Sequence, residues 1–486
     1  MSMDFLAPLV PVIPMLIVTV AACAVLVNEA MRRPNDRLPP FGFGLFALIG
    51  LGGAIVASWQ LWGGHQVGFG VIVLDNFAVF FNIAICAMGV LTVLVSAGSA
   101  ERDRLPIGEY YALMLFAVAG MMLMGSTNDL LVIFIALEAM SLAVYVMTGL
   151  KRSSLEGAEG AFKYFVLGAF SSAFFVYGIA MIYTVTGSTS LDQLSAVVAS
   201  QTLNPDLLVI GALVMLIVGF GFKVSAVPFH MWTPDAYQGA PTLVTGFMST
   251  GVKAAAFAAF VRVFLSALEP LGQDYWVPVM AVIAGLTMVL GTVVGVAQTS
   301  VKRLLAYSSI AHAGYLLVAL VAANSAGKAA ILFYVVAYGV TNLGAFGVLA
   351  ALSTPERPHD EIKDFAGLWH EKPGLSALLT VFLLSLGGFP PTVGFVAKWY
   401  VFAAAIQEQY VALAVLGVLT SVISVFFYLR IVVMMYMTDE RAPGHRPAVA
   451  PMALAGMLIA LAVVFYLGIL PGRLLEIARE SVASIF

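Results

Sequence analysis

The sequence predicts an all-α polytopic membrane protein of about fourteen transmembrane helices, and three observations predict it. Hydrophobic residues make up 61% of the 486 and charged residues only 10%, whereas a soluble chain carries about 25% charged residues. The mean hydropathy is +1.00, more apolar surface than an aqueous fold can hide, so the excess must face lipid. The apolar residues also fall in runs of the length that crosses a bilayer, and the loops between them are charged asymmetrically. Only helices and closed barrels satisfy their own backbone in hydrocarbon, and runs of this length are helical.

Taken in order, the chain starts with Met1 to Asp4, which is acidic rather than basic. The apolar run after it simply continues, so it is expected to be a span and not a cleavable signal peptide. The fourteen expected spans are 5–27, 41–62, 74–97, 110–125, 130–150, 161–184, 207–227, 243–268, 277–297, 304–322, 328–352, 375–406, 411–436 and 450–470. One set of loops holds fourteen basic residues: Arg32, Arg33, Arg37, Arg102, Arg104, Lys151, Arg152, Lys302, Arg303, Arg357, Lys363, Lys372, Arg441 and Arg446. The opposite set, with the carboxyl tail, holds only Lys328, Arg473 and Arg479. The positive-inside rule places the first set in the cytoplasm and both termini in the periplasm of a bacterial inner membrane.

Two spans are interrupted. Pro228 breaks the seventh just after Lys223, and Gly387, Gly388, Pro390 and Pro391 break the twelfth before Lys398. Paired Gly/Pro-interrupted spans point to the inverted repeats of transporters. These two are five spans apart, and an odd offset reverses the direction of travel. The expected division is therefore three amino-terminal helices (1–107), a first repeat of helices four to eight (108–270), an inverted second repeat of helices nine to thirteen (271–438), and a last helix with its tail (439–486).

Six cations lie inside spans: Lys163, Lys223, Lys253, Arg262, Lys398 and Arg430, against one well-buried carboxylate, Glu138. Each such charge costs roughly 2.5–3.5 kcal/mol on insertion scales, so intramembrane ionisable residues read as functional by default. A passive scaffold is disfavoured for the same reason. Lys223 and Glu138 are expected to pair across neighbouring helices. At about 5 Å and an effective dielectric near 20 the pair is worth about 3 kcal/mol, comparable with the 2.3 kcal/mol for moving a charge through 100 mV. The alternative is a static lock between two helices. Lys253 is mid-span, a proton relay or a satisfied structural lysine. Lys163 either carries protons or snorkels outward, paired with Glu159 one turn before it. Lys398 either hands protons outward or snorkels to the nearer end. Arg262 and Arg430 cannot release protons and are expected to be structural.

His312 is the one histidine well inside a span, and its ordinary pKa suits a relay, although buried histidines are often plain hydrogen-bonded core. His230, beside Pro228, suits capping the broken helix as well as conducting protons. Tyr307, Ser308 and Ser309 offer weaker sites for water. Cys23 and Cys86 lie in apolar runs as small hydrophobes, too few to hold an iron–sulfur cluster. With no GxGxxG turn, no P-loop and no haem ligand pair, the chain is expected to hold no metal and no cofactor and to carry no electrons. Its net charge of -3 offers nothing to nucleic acid.

Three segments carry a resemblance: FKYFVLGAFSSAFFVYG from Phe162, FKVSAVPFHMWTPDAYQGAPTLVTGFMSTGVKAAAF from Phe222, and GTVVGVAQTSVKRLLAYSSIAHAGYLL from Gly291. Together they resemble the proton-pumping family shared by respiratory complex I and multisubunit cation/proton antiporters, over nearly the whole chain. The resemblance implies fourteen helices, two inverted five-helix repeats and discontinuous helices seven and twelve. It places proton-carrying roles on Glu138, Lys163, Lys223, Lys253 and Lys398. It also implies that NADH, FMN, iron–sulfur clusters and quinone belong to partner subunits. The partners would be other antiporter-like and small subunits of a membrane arm, with lipid around them and protons as the transported ion. Within the family, Lys398 on helix twelve and the short tail after span fourteen resemble one complex I branch. The corresponding subunit of a cation/proton antiporter is the alternative.

Overall fold

The computed structural model describes residues 7–32, 42–200, 207–354, 360–438 and 448–485. Met1 to Asp4, Arg33, Arg37, Arg357, Arg441 and Arg446 lie outside them. Thirteen helices among the described residues are long and apolar enough to cross a membrane. In chain order the first eleven are α1 (Ile13–Met31), α2 (Gly42–Gln60), α3 (Asn76–Ser96), α4 (Ile107–Gly125), α5 (Leu130–Thr148), α6 (Leu155–Thr186), α7 (Leu207–Val224), α8 (Thr242–Ala267), α9 (Glu269–Val296), α10 (Val301–Ala322) and α11 (Ser325–Leu352). Two shorter apolar helices follow, α12 (Pro373–Gly387) and α13 (Val393–Gln407). The spans α14 (Val411–Tyr436) and α15 (Pro451–Ile469) come next, and the amphipathic α16 (Gly472–Ala483) ends the series. A small antiparallel hairpin, Gln66–Gly68 with Ile72–Leu74, joins α2 to α3.

Polar residues set the helix starts. Asp75, Asp129, Ser154, Ser300 and Asn324 each accept a first-turn backbone N–H, beginning α3, α5, α6, α10 and α11. The cap at Ser154 starts α6 at Leu155 rather than at the expected 161, because its first turns carry Glu156 and Glu159 and fall below the hydropathy of a span. Close crossings are set by small residues. A Cβ on Gly291 would stand 2.6 Å from the Ala311 nitrogen, so α9 and α10 touch backbone to backbone there.

Both interruptions are real breaks. α7 ends at Val224, the chain turns through Ser225 at φ +63, and a short helix resumes over Thr233–Gly239. Trp232 fastens this turn: its Nε1 donates to the Phe222 carbonyl at 3.1 Å and its ring stacks on Tyr164 at 3.9 Å. Gly388, at φ +87, closes α12, and α13 starts five residues later. The expected span 375–406 is thus two fifteen-residue helices placed end to end.

The centre of the bundle is α8, α10 and α11. In their most apolar windows 100%, 94% and 94% of residues are buried, against 33% in α1, α6, α14 and α15. α11 packs against α3, α12, α13, α15 and α16. A charged side chain at the middle of these central helices is enclosed by protein and has no lipid face along which to snorkel.

Candidate functional site

Lys223 ends α7 and is 2% exposed. Its Nζ donates to Ser141 Oγ at 2.6 Å and to Tyr145 Oη at 3.2 Å, both on α5. The ammonium also lies 5.1 Å from the Tyr145 ring centre and 5.6 Å from that of Tyr164. Among the described residues no ion pair within 4.0 Å joins it to Glu138; the expected pairing, at about 5 Å, is longer than that and is not a direct contact. The reason is depth along α5. Residues 138, 141 and 145 share one face of the helix, but Glu138 lies seven residues, about 10 Å, from Tyr145, where it is half-buried and accepts a hydrogen bond from Ser172 on α6.

Lys163 sits at the rim, its side chain 42% exposed. It meets Glu159 at 2.6 Å, as the one-turn spacing suggests, and also Asp235 at 2.8 Å. Asp235 binds Arg303 on its other oxygen at 2.6 Å, so one carboxylate ties α6, the short helix after the first break, and α10.

The central cations are arranged differently. Lys253 follows a π-helical turn, Met248–Val252, of the kind that widens a helix at functional positions. Its Nζ donates to the Ser309 carbonyl of α10 at 2.5 Å. On the residue before Ser309, Ser308 Oγ is hydrogen-bonded to Tyr428 Oη of α14. Tyr428 Oη lies 3.4 Å from His312 Nε2, and His312 Nδ1 lies 2.7 Å from Tyr334 Oη of α11. The Tyr315 ring stands edge-on to His312 at 5.6 Å and has the Lys398 ammonium 5.2 Å from its centre. Lys398 donates to the carbonyls of Leu386 and Gly387, at 2.9 and 3.0 Å, and to Ser421 Oγ at 2.8 Å. The carbonyls are those that the break after α12 frees from helix hydrogen bonding. A series of polar groups thus runs through the bundle centre from Lys253 past His312 to Lys398, interrupted between the Ser309 carbonyl and Ser308 Oγ and again at the Tyr315 ring.

The remaining cations are tied down. Arg262 binds both oxygens of Asp75, at 2.8 and 2.9 Å, and the Gly125 carbonyl. Arg430 donates to the carbonyls of Val296 and Gln298, joining α14 to the end of α9. His230 Nδ1 has no hydrogen-bond partner among the described residues, so that nitrogen caps nothing. Tyr307 is half-buried and stands outside the line, whereas Ser309 also meets Tyr237 Oη through its hydroxyl at 3.4 Å. No cluster of three or more His, Cys, Asp or Glu side chains among the described residues could hold a metal.

Sequence reasoning passed over Ser141, Tyr145, Asp235, Tyr334 and Tyr428. A signal existed for one group. Tyr334, Tyr338 and Asn342 recur at every fourth position of an otherwise apolar span, one face of a helix. That face carries hydrogen bonds: Asn342 Nδ2 reaches Tyr338 Oη at 3.0 Å and Ser249 Oγ of α8 at 2.7 Å.

Residues 127–424 match the family described as NADH:quinone oxidoreductase/Mrp antiporter, TM. The chain is 43% identical over 450 residues, 90% of each chain, to NADH-quinone oxidoreductase subunit N of Trichlorobacter lovleyi. It is similar to a chain of respiratory complex I from Thermus thermophilus at 36% identity and a TM-score of 0.80, covering 95% of this chain and 98% of that one. It also superposes on a chain of the Mrp complex from Dietzia sp. with a TM-score of 0.85, over 100% and 98% of the two chains. At 21% identity that last likeness is one of fold alone.

Proposed function

The chain belongs to the NADH:quinone oxidoreductase/Mrp antiporter transmembrane family, among relatives named subunit N, and on that footing we propose that its buried lysines carry protons across the inner membrane for a redox complex. It is a multi-pass, membrane-arm, proton-translocating subunit. Electrons, flavin, iron–sulfur clusters and quinone stay on partner subunits, and the redox chemistry there drives protons from cytoplasm to periplasm through this one. The two interrupted helices mark corresponding positions of inverted repeats, 108–270 and 271–438, each with a lysine at its break.

One observation carries the reading: the contrast between two kinds of buried cation. Arg262 and Lys328 each have a carboxylate at 2.8 Å, Asp75 and Glu269. Lys223, Lys253 and Lys398 have none within 4.0 Å among the described residues and are held only by neutral oxygens of Ser, Tyr and main-chain carbonyls. A cation with a fixed counter-charge is a structural clamp. An ammonium held by neutral acceptors keeps its proton through hydrogen bonds alone, with no fixed counter-charge; at Lys223 and Lys398 the acceptors include hydroxyls, whereas the carbonyl that holds Lys253 accepts but cannot relay a proton. Serine and tyrosine hydroxyls both donate and accept, so they can pass a proton from one side to the other. Lys163, bound to two carboxylates at the rim, gathers or holds charge at the surface end of this system, and Glu138, bonded to Ser172, does so between α5 and α6.

Lys253→Met tests the reading, because it keeps the length and removes the proton. Proton uptake into vesicles, normalised to assembled complex, should fall at least about tenfold, the effect of some 1.4 kcal/mol on one step, with coupled quinone reduction slowed. Wild-type uptake by an assembled Lys253→Met complex would exclude Lys253 from the path. Co-purification of flavin and iron–sulfur subunits distinguishes the redox complex from a cation/proton antiporter.

A further inference from the structure

Lys223 has no carboxylate within 4.0 Å among the described residues, yet oxygens are not all that surrounds it. The Tyr145 ring centre lies 5.1 Å from its ammonium, and those of Tyr164 and Phe222 each lie at 5.6 Å. The face of an aromatic ring is electron-rich and attracts a cation within about 6 Å, most strongly where water is excluded. Phe222 is the chain neighbour of Lys223, and Tyr145 also holds the ammonium through its hydroxyl. Tyr164 differs from both. Its side chain is fully buried, and its Oη has no hydrogen-bond partner among the described residues. What Tyr164 offers Lys223 is therefore its ring.

The fold fixes that ring. Tyr164 stacks on Trp232 at 3.9 Å with the planes 3° apart, and meets Tyr145 edge-on at 4.6 Å. Gly160 and Gly168, one turn of α6 to either side, make room for both contacts. A Cβ on Gly160 would stand 2.8 Å from the Asp235 carbonyl oxygen, in the short helix that follows Trp232, and one on Gly168 would collide with Tyr145 Oη. Trp232 also donates to the Phe222 carbonyl, so its indole ties the Tyr164 ring to the end of α7. We propose that Tyr164 is a positioning residue for proton transfer at Lys223: its ring, clamped by Trp232, holds the ammonium against the hydroxyls of Ser141 and Tyr145. The proposal rests on Lys223 being a proton carrier, and the test separates the two.

In the intact complex, Tyr164 is replaced by phenylalanine and by phenylalanines bearing one, two and three ring fluorines. Fluorine drains the ring face of charge stepwise with little change of shape. Proton uptake into vesicles is normalised to assembled complex. Tyr164→Phe should pump within about twofold of wild type, because the hydroxyl it removes has no partner to leave unpaired. Uptake should then fall with each fluorine, to about tenfold below Tyr164→Phe at three, the effect of losing one desolvated cation–π contact. The same series at Phe170, also on α6 but 65% exposed and paired with Phe174, should leave uptake unchanged. A flat series at 164 or an equal fall at 170 overturns the role of the ring. Loss of pumping in Tyr164→Phe does so as well, since it would place the function in the hydroxyl. Lys223→Met tells these results from failure of the carrier itself. It should abolish uptake; an inactive Lys223→Met beside a flat series removes the ring alone, whereas wild-type uptake by assembled Lys223→Met removes the carrier and the ring together.

Discussion

Tyr428→Phe is the sharpest probe of the central line. The substitution leaves the ring, including its contact with Phe427 at 4.5 Å between centroids, and removes a single oxygen. That oxygen is shared by Ser308 Oγ and, at 3.4 Å, His312 Nε2. Tyr428 is 2% exposed, and removing one partner of a buried hydrogen bond costs about 1–3 kcal/mol. If the same interaction holds the transfer geometry between Ser308 and His312, that loss slows the step roughly fivefold to more than a hundredfold, each 1.36 kcal/mol being a factor of ten. The assay is NADH-driven acidification of proteoliposomes, divided by the amount of assembled complex and by the quinone reduction rate. Tyr436→Phe serves as the control, since among the described residues its hydroxyl meets only Thr380, at 3.4 Å, at the far end of α14. Assembly should be near normal in both variants, with pumping lost only in the first. Pumping within twofold of wild type in assembled Tyr428→Phe would remove Tyr428 from the route and leave Ser308 and His312 without a link.

Two further outcomes follow from the same geometry. Lys398→Arg should assemble but pump poorly, because arginine keeps its charge and does not surrender its proton; near-normal uptake by that variant would reduce Lys398 to a structural residue holding the break after α12. Asp75→Asn should destabilise the protein by about 3–5 kcal/mol, because it leaves the buried Arg262 charge uncompensated; unfolding of the purified complex monitored by heating would show it, Arg262→Met in the same chain should recover much of the loss, and an unchanged transition in Asp75→Asn would show the pair to be dispensable.

Much of the fold could be read in advance for local reasons. Hydrophobicity over a window of residues locates a span wherever its neighbours lie, and proline and glycine act on their own turn of backbone, so both breaks were visible before any packing was known. The Glu159–Lys163 pair was legible because helix spacing alone brings the two together. The partners of Lys223 were not. Charge alone favours Glu138, which shares a face of α5 with residues 141 and 145, yet which of the three comes level with the end of α7 depends on how far the two helices slide along each other as they pack. His312 stood out as a histidine in a span, but Tyr334 and Tyr428 lie on other helices and resemble any buried tyrosine until the helices meet.

The chain's composition and order establish a bilayer-crossing helical protein with buried cations, because transfer from water to lipid is a property of each segment taken alone. What those cations meet is decided by assembly of the bundle. Asp75 and Arg262 are 187 residues apart and meet as a clamp, whereas Lys253, 56 residues from Ser309, reaches only a carbonyl oxygen. Whether a lysine or arginine finds a carboxylate or a neutral oxygen depends on contacts between helices distant in the chain, because those partners exist only once the helices meet.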